Sequence, residues 1–253
     1  MRLRISHNEY IETSEGIDLS IELTNKTHNP RAWYVDLPEF EPVRANGFTG
    51  SVAEGGSVNF RNIAFNPHGH GTHTECLGHI SREVESINTH LKEFWFTAQV
   101  ITVTPRKRHH PDEGVEDNVI TLDQIQKSAE IHAEAIIIRT LPNPESKKSA
   151  IYSGTNPPYF DAEIADYLVS RGVKHLLVDL PSVDREVDAG VLDFHHRFWC
   201  YPNTPRFDAT ITELIYVPET VNDGIYMLNL QVAAFDNDAA PSRPVLFTIQ
   251  KGS

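Results

Sequence analysis

Thirteen histidines are the unusual count in this 253-residue sequence. Four of them, His68, His70, His73 and His79, crowd with Glu75 into the stretch NPHGHGTHTECLGHI at 66–80. Imidazoles and carboxylates are the side chains that suit divalent zinc, manganese and iron. Extended backbone from His73 to Glu75 would put both side chains on one face. Helical backbone would instead bring His79 beside Glu75, four positions on. Gly69, Gly71 and Gly78 allow the sharp turns that gather nearby side chains around one ion. The plain alternative is a surface loop whose imidazoles make ordinary hydrogen bonds. It suits a lone histidine better than three and a glutamate at this density. The spacing matches neither a zinc finger nor the HExxH helix. Cys76 reads as a small buried residue rather than a ligand.

Such a segment needs rigid elements around it. Ile17–Leu23 alternates as a half-buried strand does, and a loop rich in proline and charge follows from Thr24 to Arg44. Phe60–Phe65 reads as a strand feeding the histidine segment, and Phe94–Val103 as a second strand rich in β-branched and aromatic residues. Thr121 and Gln124 fit a capping box, opening a helix to about Ala133. Ala135–Thr140 is then a buried strand. Asp161 suits the cap of another helix, with Ile164, Ala165, Leu168 and Val169 on one face and Gly172 at its end. Lys174–Leu180 is a further buried strand. Ile211–Val217, Ile225–Phe235 and Pro244–Ile249 supply late strands after a loop at Pro202 and Pro205. Strand–helix–strand alternation between strand-rich ends predicts one mixed α/β domain.

Composition sets the outer bounds. Hydrophobic residues are 40% and charged residues 23%, which excludes disorder as the main state. Lys and Arg number 22 against 35 Asp and Glu, a formal charge of −13 that counts against nucleic acid and membrane surfaces as partners. Two cysteines, Cys76 and Cys200, are too few for a disulfide scaffold. No signal peptide or membrane-spanning run is visible, so the expected location is the cytoplasm.

Gly71-Thr72-His73, Glu75 and His79 resemble the His-x-Gly-Thr-His-x-Asp-x-Pro-x-His signature of the bacterial kynurenine formamidase and putative cyclase family of metal-dependent hydrolases. Glu75 stands where that family has Asp, and Leu77 where it has Pro. Strict spacing would put the first histidine at Gly69. His68, with one extra residue after it, is the favoured match, and His70 the alternative. Asp18-Leu19-Ser20 is similar to the family's opening strand. Arg171-Gly172-Val173 and Asp179 to Asp184 (DLPSVD) resemble a later segment, Leu192-Asp193-Phe194-His195 the place of a later histidine ligand, and Glu213 the later glutamate. An insertion around Cys200–Phe207 leaves His195 and His196 both open.

The resemblance implies a single domain over residues 1–253, a mixed central β-sheet flanked by helices of the swivelling β/α type. It implies one or two divalent ions, zinc or manganese. His68, His73 and Glu75 would hold the first, and Glu75 would bridge to a second held with His79, His195 and Glu213. The longer Glu75 side chain is expected to alter metal choice or bridging. The implied task is hydrolysis of a small amide, with the ion acidifying water and polarising the carbonyl. His79 is the base in a one-metal site, and Glu213 the candidate base in a two-metal site. A dehydratase or cyclase of the same family, or an inactive metal-binding homologue, are the alternatives. The partner is a small-molecule substrate, and the family suggests a homodimer or homotetramer.

Other residues offer less. Asp184 is read as a supporting or turn-forming residue. Ser182 lacks the Gly-x-Ser-x-Gly elbow. His109-His110-Pro111 reads as a solvated loop. Trp33 and Tyr34 either wall an aromatic pocket or anchor a loop, and Tyr152–Tyr159 is expected near the mouth of the site.

Overall fold

The most apolar stretches of the chain become the middle of a nine-stranded sheet. The computed structural model describes residues 1–110, 114–128 and 131–252. In chain order the strands are β1 (Ile17–Asp18), β2 (His73–Glu75), β3 (Trp95–Val103), β4 (Ala135–Thr140), β5 (His175–Val178), β6 (Thr210–Glu213), β7 (Gly224–Asn229), β8 (Ala239–Pro241) and β9 (Val245–Thr248). Their order across the sheet is β8-β2-β6-β5-β4-β3-β7-β9-β1. β3, β4, β5 and β6 run parallel, and every other neighbouring pair is antiparallel.

Side chains alternate across this sheet with period two. Ile136, Ile138, Leu176 and Val178 face one core with the helices Leu122–Ser128, Glu163–Ser170 and Asp193–Phe198. Ala135, Ile137 and Leu177 face a second core with Phe96, Leu228 and Leu246. Burial on both faces explains why the central strands read as unbroken apolar runs. This is the mixed sheet with flanking helices that the resemblance implies.

Several boundaries differ from the sequence reading. β1 stops at Asp18 instead of continuing to Leu23, because the Asp18 carboxylate accepts from the Ser20 amide at 2.9 Å and bends the chain out of the sheet. The helix at Leu122 ends its described length at Ser128, and Ile131 has already turned into the core ahead of β4. Of the capping box, the Gln124 side chain does accept from the Thr121 amide, at 3.0 Å. Asp161 does not cap the following helix as expected; its carboxylate instead accepts from Arg108 at 2.6 and 2.7 Å. The late strands are shorter than expected, while Cys76 is buried as anticipated. Pro111 of the expected histidine loop lies outside the described residues; His109 ends an exposed strand. Among the described residues, no helix is long and apolar enough to cross a membrane.

One buried group gives the fold a pH signature. His175 at the start of β5 packs its ring 4.0 Å from that of Phe96, with Nδ1 at 2.9 Å from the Thr210 hydroxyl. Burial pushes the imidazole down to about 4. The unfolded chain takes up this proton as pH falls through about 6.5, and the native chain resists until about 4. Stability present above pH 6.5 is therefore lost on acidification, by roughly 3 kcal/mol from this group alone. Urea denaturation at pH 7 and pH 4 should show a smaller acid loss in His175→Gln than in the natural chain. Parallel losses in the two proteins would assign the effect elsewhere.

Candidate metal centre

The histidine segment is shaped by its first turn. Asn66 caps the short helix Pro67–His70, its side chain accepting from the Gly69 amide at 3.1 Å. Gly69 fits there because a Cβ would come within 2.7 Å of Val35. This turn absorbs the extra residue and sends the two flanking imidazoles different ways. His70 is committed to backbone: Nδ1 accepts from the Asn66 amide at 2.8 Å, and Nε2–H donates to the Asp36 carbonyl at 2.5 Å. His68 turns inward, with Nδ1 at 3.1 Å from Glu75 Oε2.

From Gly71 onward the chain is extended. β2 therefore puts His73 and Glu75 on the same side, and the 3₁₀ turn Leu77–His79 folds His79 back, its Nδ1 3.8 Å from Glu75 Oε2. Both backbone readings thus hold in part, one for each half of the motif. Leu77, where the family has Pro, is buried in the core on the helix side.

Sheet register brings the remote residues. β6 pairs antiparallel with β2 so that Glu213 lies directly opposite His73, and their side chains meet at 3.5 Å, Nε2 to Oε2. The helix Asp193–Phe198 delivers His195, whose Nε2 is 3.1 Å from Glu75 Oε1 and 3.9 Å from Glu213 Oε1. His196 faces away, with Nδ1 at 3.3 Å from the Tyr201 carbonyl. The structure thus gathers His68, His73, Glu75, His79, His195 and Glu213 and leaves His70 and His196 outside. Asp184 supports His195, accepting its Nδ1–H at 2.5 Å.

Asp238 joins the group without a sequence signal. It precedes β8, which pairs with β2, and its Oδ2 accepts His68 Nε2–H at 2.8 Å and stands 3.5 Å from His79 Nδ1. A lone acid before Ala-Ala-Pro has no spacing that marks it, and strand pairing alone places it here.

The donor atoms fit a divalent cation. His73 Nδ1–H donates to the Gly71 carbonyl at 2.9 Å, which leaves Nε2 as a lone pair. That Nε2 is buried and lacks a hydrogen-bond partner. Buried polar atoms are ordinarily satisfied, so an unpaired acceptor beside two carboxylates calls for a positive charge among them. Among the described residues, two groups have ligand atoms within 4.8 Å of one another: His68, Glu75 and His79, and His73, Glu75 and Glu213. Glu75 belongs to both. This differs from the grouping implied by resemblance, which pairs His68 with His73. The extra methylene of Glu75 still leaves its carboxylate between the two groups.

Electrostatics agree. Burial alone would push Glu75 up, but His79, His195 and His68 hold it well below the usual carboxylate range. Burial likewise disfavours charge on His68 and His195. Asp238 and Glu75 nevertheless raise His68 to about 10, and Asp184 and Glu75 raise His195 to about 10.

The cluster floors a cavity of about 340 Å³ walled by Trp33, Leu192, Ser182 and Arg185. Trp33, Leu192 and Leu214, which follows Glu213, all hold left-handed backbone without being glycine, strain of the kind that collects at working sites. Tyr34 is exposed rather than in the wall. The 152–159 segment acts from behind: Ser153 Oγ accepts from the Tyr34 amide, and the Gly154 and Asn156 amides donate to Glu186. A larger cavity of about 500 Å³ beside Asp18–Leu23 contains none of the clustered donors.

A family model described as "Putative cyclase" matches residues 17–185. The chain is 27% identical over 238 residues to a kynurenine formamidase from Bacillus thuringiensis (strain Al Hakam), covering 93% of this chain and 99% of that one. Its fold resembles a structure titled as a potential metal-dependent hydrolase with cyclase activity, with a TM-score of 0.65 at 16% identity over 92% of this chain and 97% of that one. It also resembles isatin hydrolase A from Labrenzia aggregata, with a TM-score of 0.66 at 13% identity over 92% and 93%.

Cation binding should displace the protons that acidic neighbours hold on His68 and His195. Affinity for zinc should therefore rise with pH from 6 to 8, and titration calorimetry in buffers of different ionisation enthalpy should show net proton release. Glu75→Gln, which removes the charge common to both groups, should weaken binding at least 100-fold with the circular dichroism spectrum retained; unchanged affinity would remove Glu75 from the centre.

Proposed function

The chain belongs to the putative cyclase family, and from that premise we propose that it is a metal-dependent hydrolase of a small amide with a formamide- or lactam-like carbonyl. The observation that carries this reading is the buried, unpaired His73 Nε2 beside Glu213, which together with His68, His79 and His195 lines a cavity of substrate size. The formamidase relatives support the hydrolase assignment. His68, His73, Glu75, His79, His195 and Glu213 are the residues to hold one or two ions, zinc or manganese, since imidazole and carboxylate donors suit both. Cys76 offers no thiolate, as its Sγ is turned to the Glu85 carbonyl at 3.3 Å. When bound, the cation supplies an acidified water nucleophile and a Lewis acid for the carbonyl oxygen.

The chain's own groups do the rest. His73, His68 and His195 are each fixed by an outward hydrogen bond, to the Gly71 carbonyl, Asp238 and Asp184. Their inward nitrogens are thereby the ones that a cation would take in place of a proton. His79 lines the cavity and is the more exposed of the clustered imidazoles. In a one-metal site, where it is not a ligand, its ring is the group placed to take a proton from the nucleophile and return it to the leaving nitrogen. Glu213 is the second candidate base; its Oε1 accepts from the Val183 amide at 3.2 Å, leaving Oε2 toward His73. Trp33 and Leu192 give the cavity an apolar wall that excludes water beside a planar substrate.

We read the protein as a homodimer or homotetramer of the reducing cytosol, with Cys76 and Cys200 as free thiols. The two-stranded ladder of Glu39–Pro42 with Arg61–Ala64 supports the oligomer, because it exposes Ile63 beside the neighbouring Phe60 and an isolated two-stranded ladder is marginal in water.

Metal-loaded protein should hydrolyse members of a panel of N-formyl amides and lactams, with oxygen from labelled water appearing in the product. His79→Ala should lower kcat by 10²–10⁴ while retaining metal. Turnover without labelled oxygen would move the reading to a dehydratase or cyclase, and unchanged turnover in His79→Ala would take that residue out of the chemistry.

A further inference from the structure

Asp238 stands outside the stretch that the family model matches, yet its carboxylate touches two of the clustered imidazoles. We propose that Asp238 is a positioning residue of the metal centre, which fixes a proton on His68 Nε2 and leaves Nδ1, on the Glu75 side, as the nitrogen that yields its proton to a cation. This rests on the metal-dependent reading above.

The geometry makes the role specific. Asp238 Oδ2 lies 2.8 Å from His68 Nε2, and on the other side of the ring Nδ1 lies 3.1 Å from Glu75 Oε2. An imidazole that donates through one nitrogen to a carboxylate offers the other as a ligand, with its ring plane fixed. Without that acceptor, the His68 ring is free to take the other tautomer and point a proton at the centre. The same Oδ2 lies 3.5 Å from His79 Nδ1, and the His68 and His79 rings are 4.3 Å apart. One oxygen thus sets the relative pose of two of the three imidazoles that face the cavity.

The backbone around Asp238 is itself held rigid. Its carbonyl accepts from the Cys76 amide at 3.0 Å, and the Asn237 carbonyl accepts from the Ile87 amide at 2.9 Å. Gly78 lets this segment come close: a Cβ there would sit 3.0 Å from the Asp238 Cβ and 2.2 Å from the Glu85 carbonyl. His195 has the same arrangement through Asp184, on a different element. Two acidic residues from unrelated parts of the chain therefore orient imidazoles toward the same glutamate.

The test compares Asp238→Ala, which deletes the acceptor, with Asp238→Asn, which keeps an oxygen at the same place without the charge. Zinc affinity of the full chain is read by chelator competition, and the ring tautomer by ¹⁵N long-range correlation spectra of the zinc-loaded protein. The expected result is His68 bound through Nδ1 with a proton on Nε2. Asp238→Ala should weaken zinc by 10–100-fold, and Asp238→Asn should restore affinity to within a few-fold. Wild-type affinity in Asp238→Ala overturns the proposal, as does equal weakening in both variants. Should Asp238→Ala fail to fold, the spectrum of the natural protein decides, and coordination of His68 through Nε2 overturns the proposal. A natural chain that binds no divalent cation fails the metal-dependent reading as well; binding that is intact and indifferent to Asp238 fails this inference alone.

Discussion

A fully buried carboxylate governs this structure. Glu75 has no exposed surface, lies in the middle strand of an antiparallel trio, and is held ionised by imidazoles on three sides. A buried charge is tolerated only when it is paired, and the cost of leaving it alone runs to several kcal/mol. His68, His79 and His195 therefore answer a requirement set by one residue, and they come from a capped turn, a 3₁₀ turn and a helix. Protons on those rings satisfy it in one way, and a dication among them satisfies it in another.

Meeting that requirement needs rings that cannot rotate. Three of the four imidazoles that point a nitrogen inward are anchored outward: His73 by the Gly71 carbonyl, His195 by Asp184, His68 by Asp238. The anchors come from neighbouring strands and loops, so the packing of the sheet fixes the direction of each lone pair. Left-handed backbone at Trp33, Leu192 and Leu214 shows the surrounding loops bent to keep these side chains in place.

Two departures from the family signature are absorbed locally. The additional residue between His68 and His73 is taken up by one helical turn that Asn66 caps, and the surplus imidazole of His70 becomes a brace for the Asp36 carbonyl. The longer side chain of Glu75 is accommodated with its carboxylate still between the two groups of donors.

Much of this was legible in the residues. Density in β-branched and aromatic residues marked β3, short apolar runs marked β4 and β5 because strands covered on both faces need no polar side, and the density of imidazole and carboxylate at 68–79 marked the centre because few other uses call for it. Strand ends and caps were less legible: Asp18 bonded to its own loop and Asp161 to Arg108, choices that depend on partners distant in the chain. Sequence by itself determined the donor types and the buried strands of a mixed α/β core. Tertiary structure alone decided between His68 and His70, between His195 and His196, and brought in Asp238. The reason is that a ring nitrogen's direction is set by the hydrogen bond on its other side, and strand register supplies that partner.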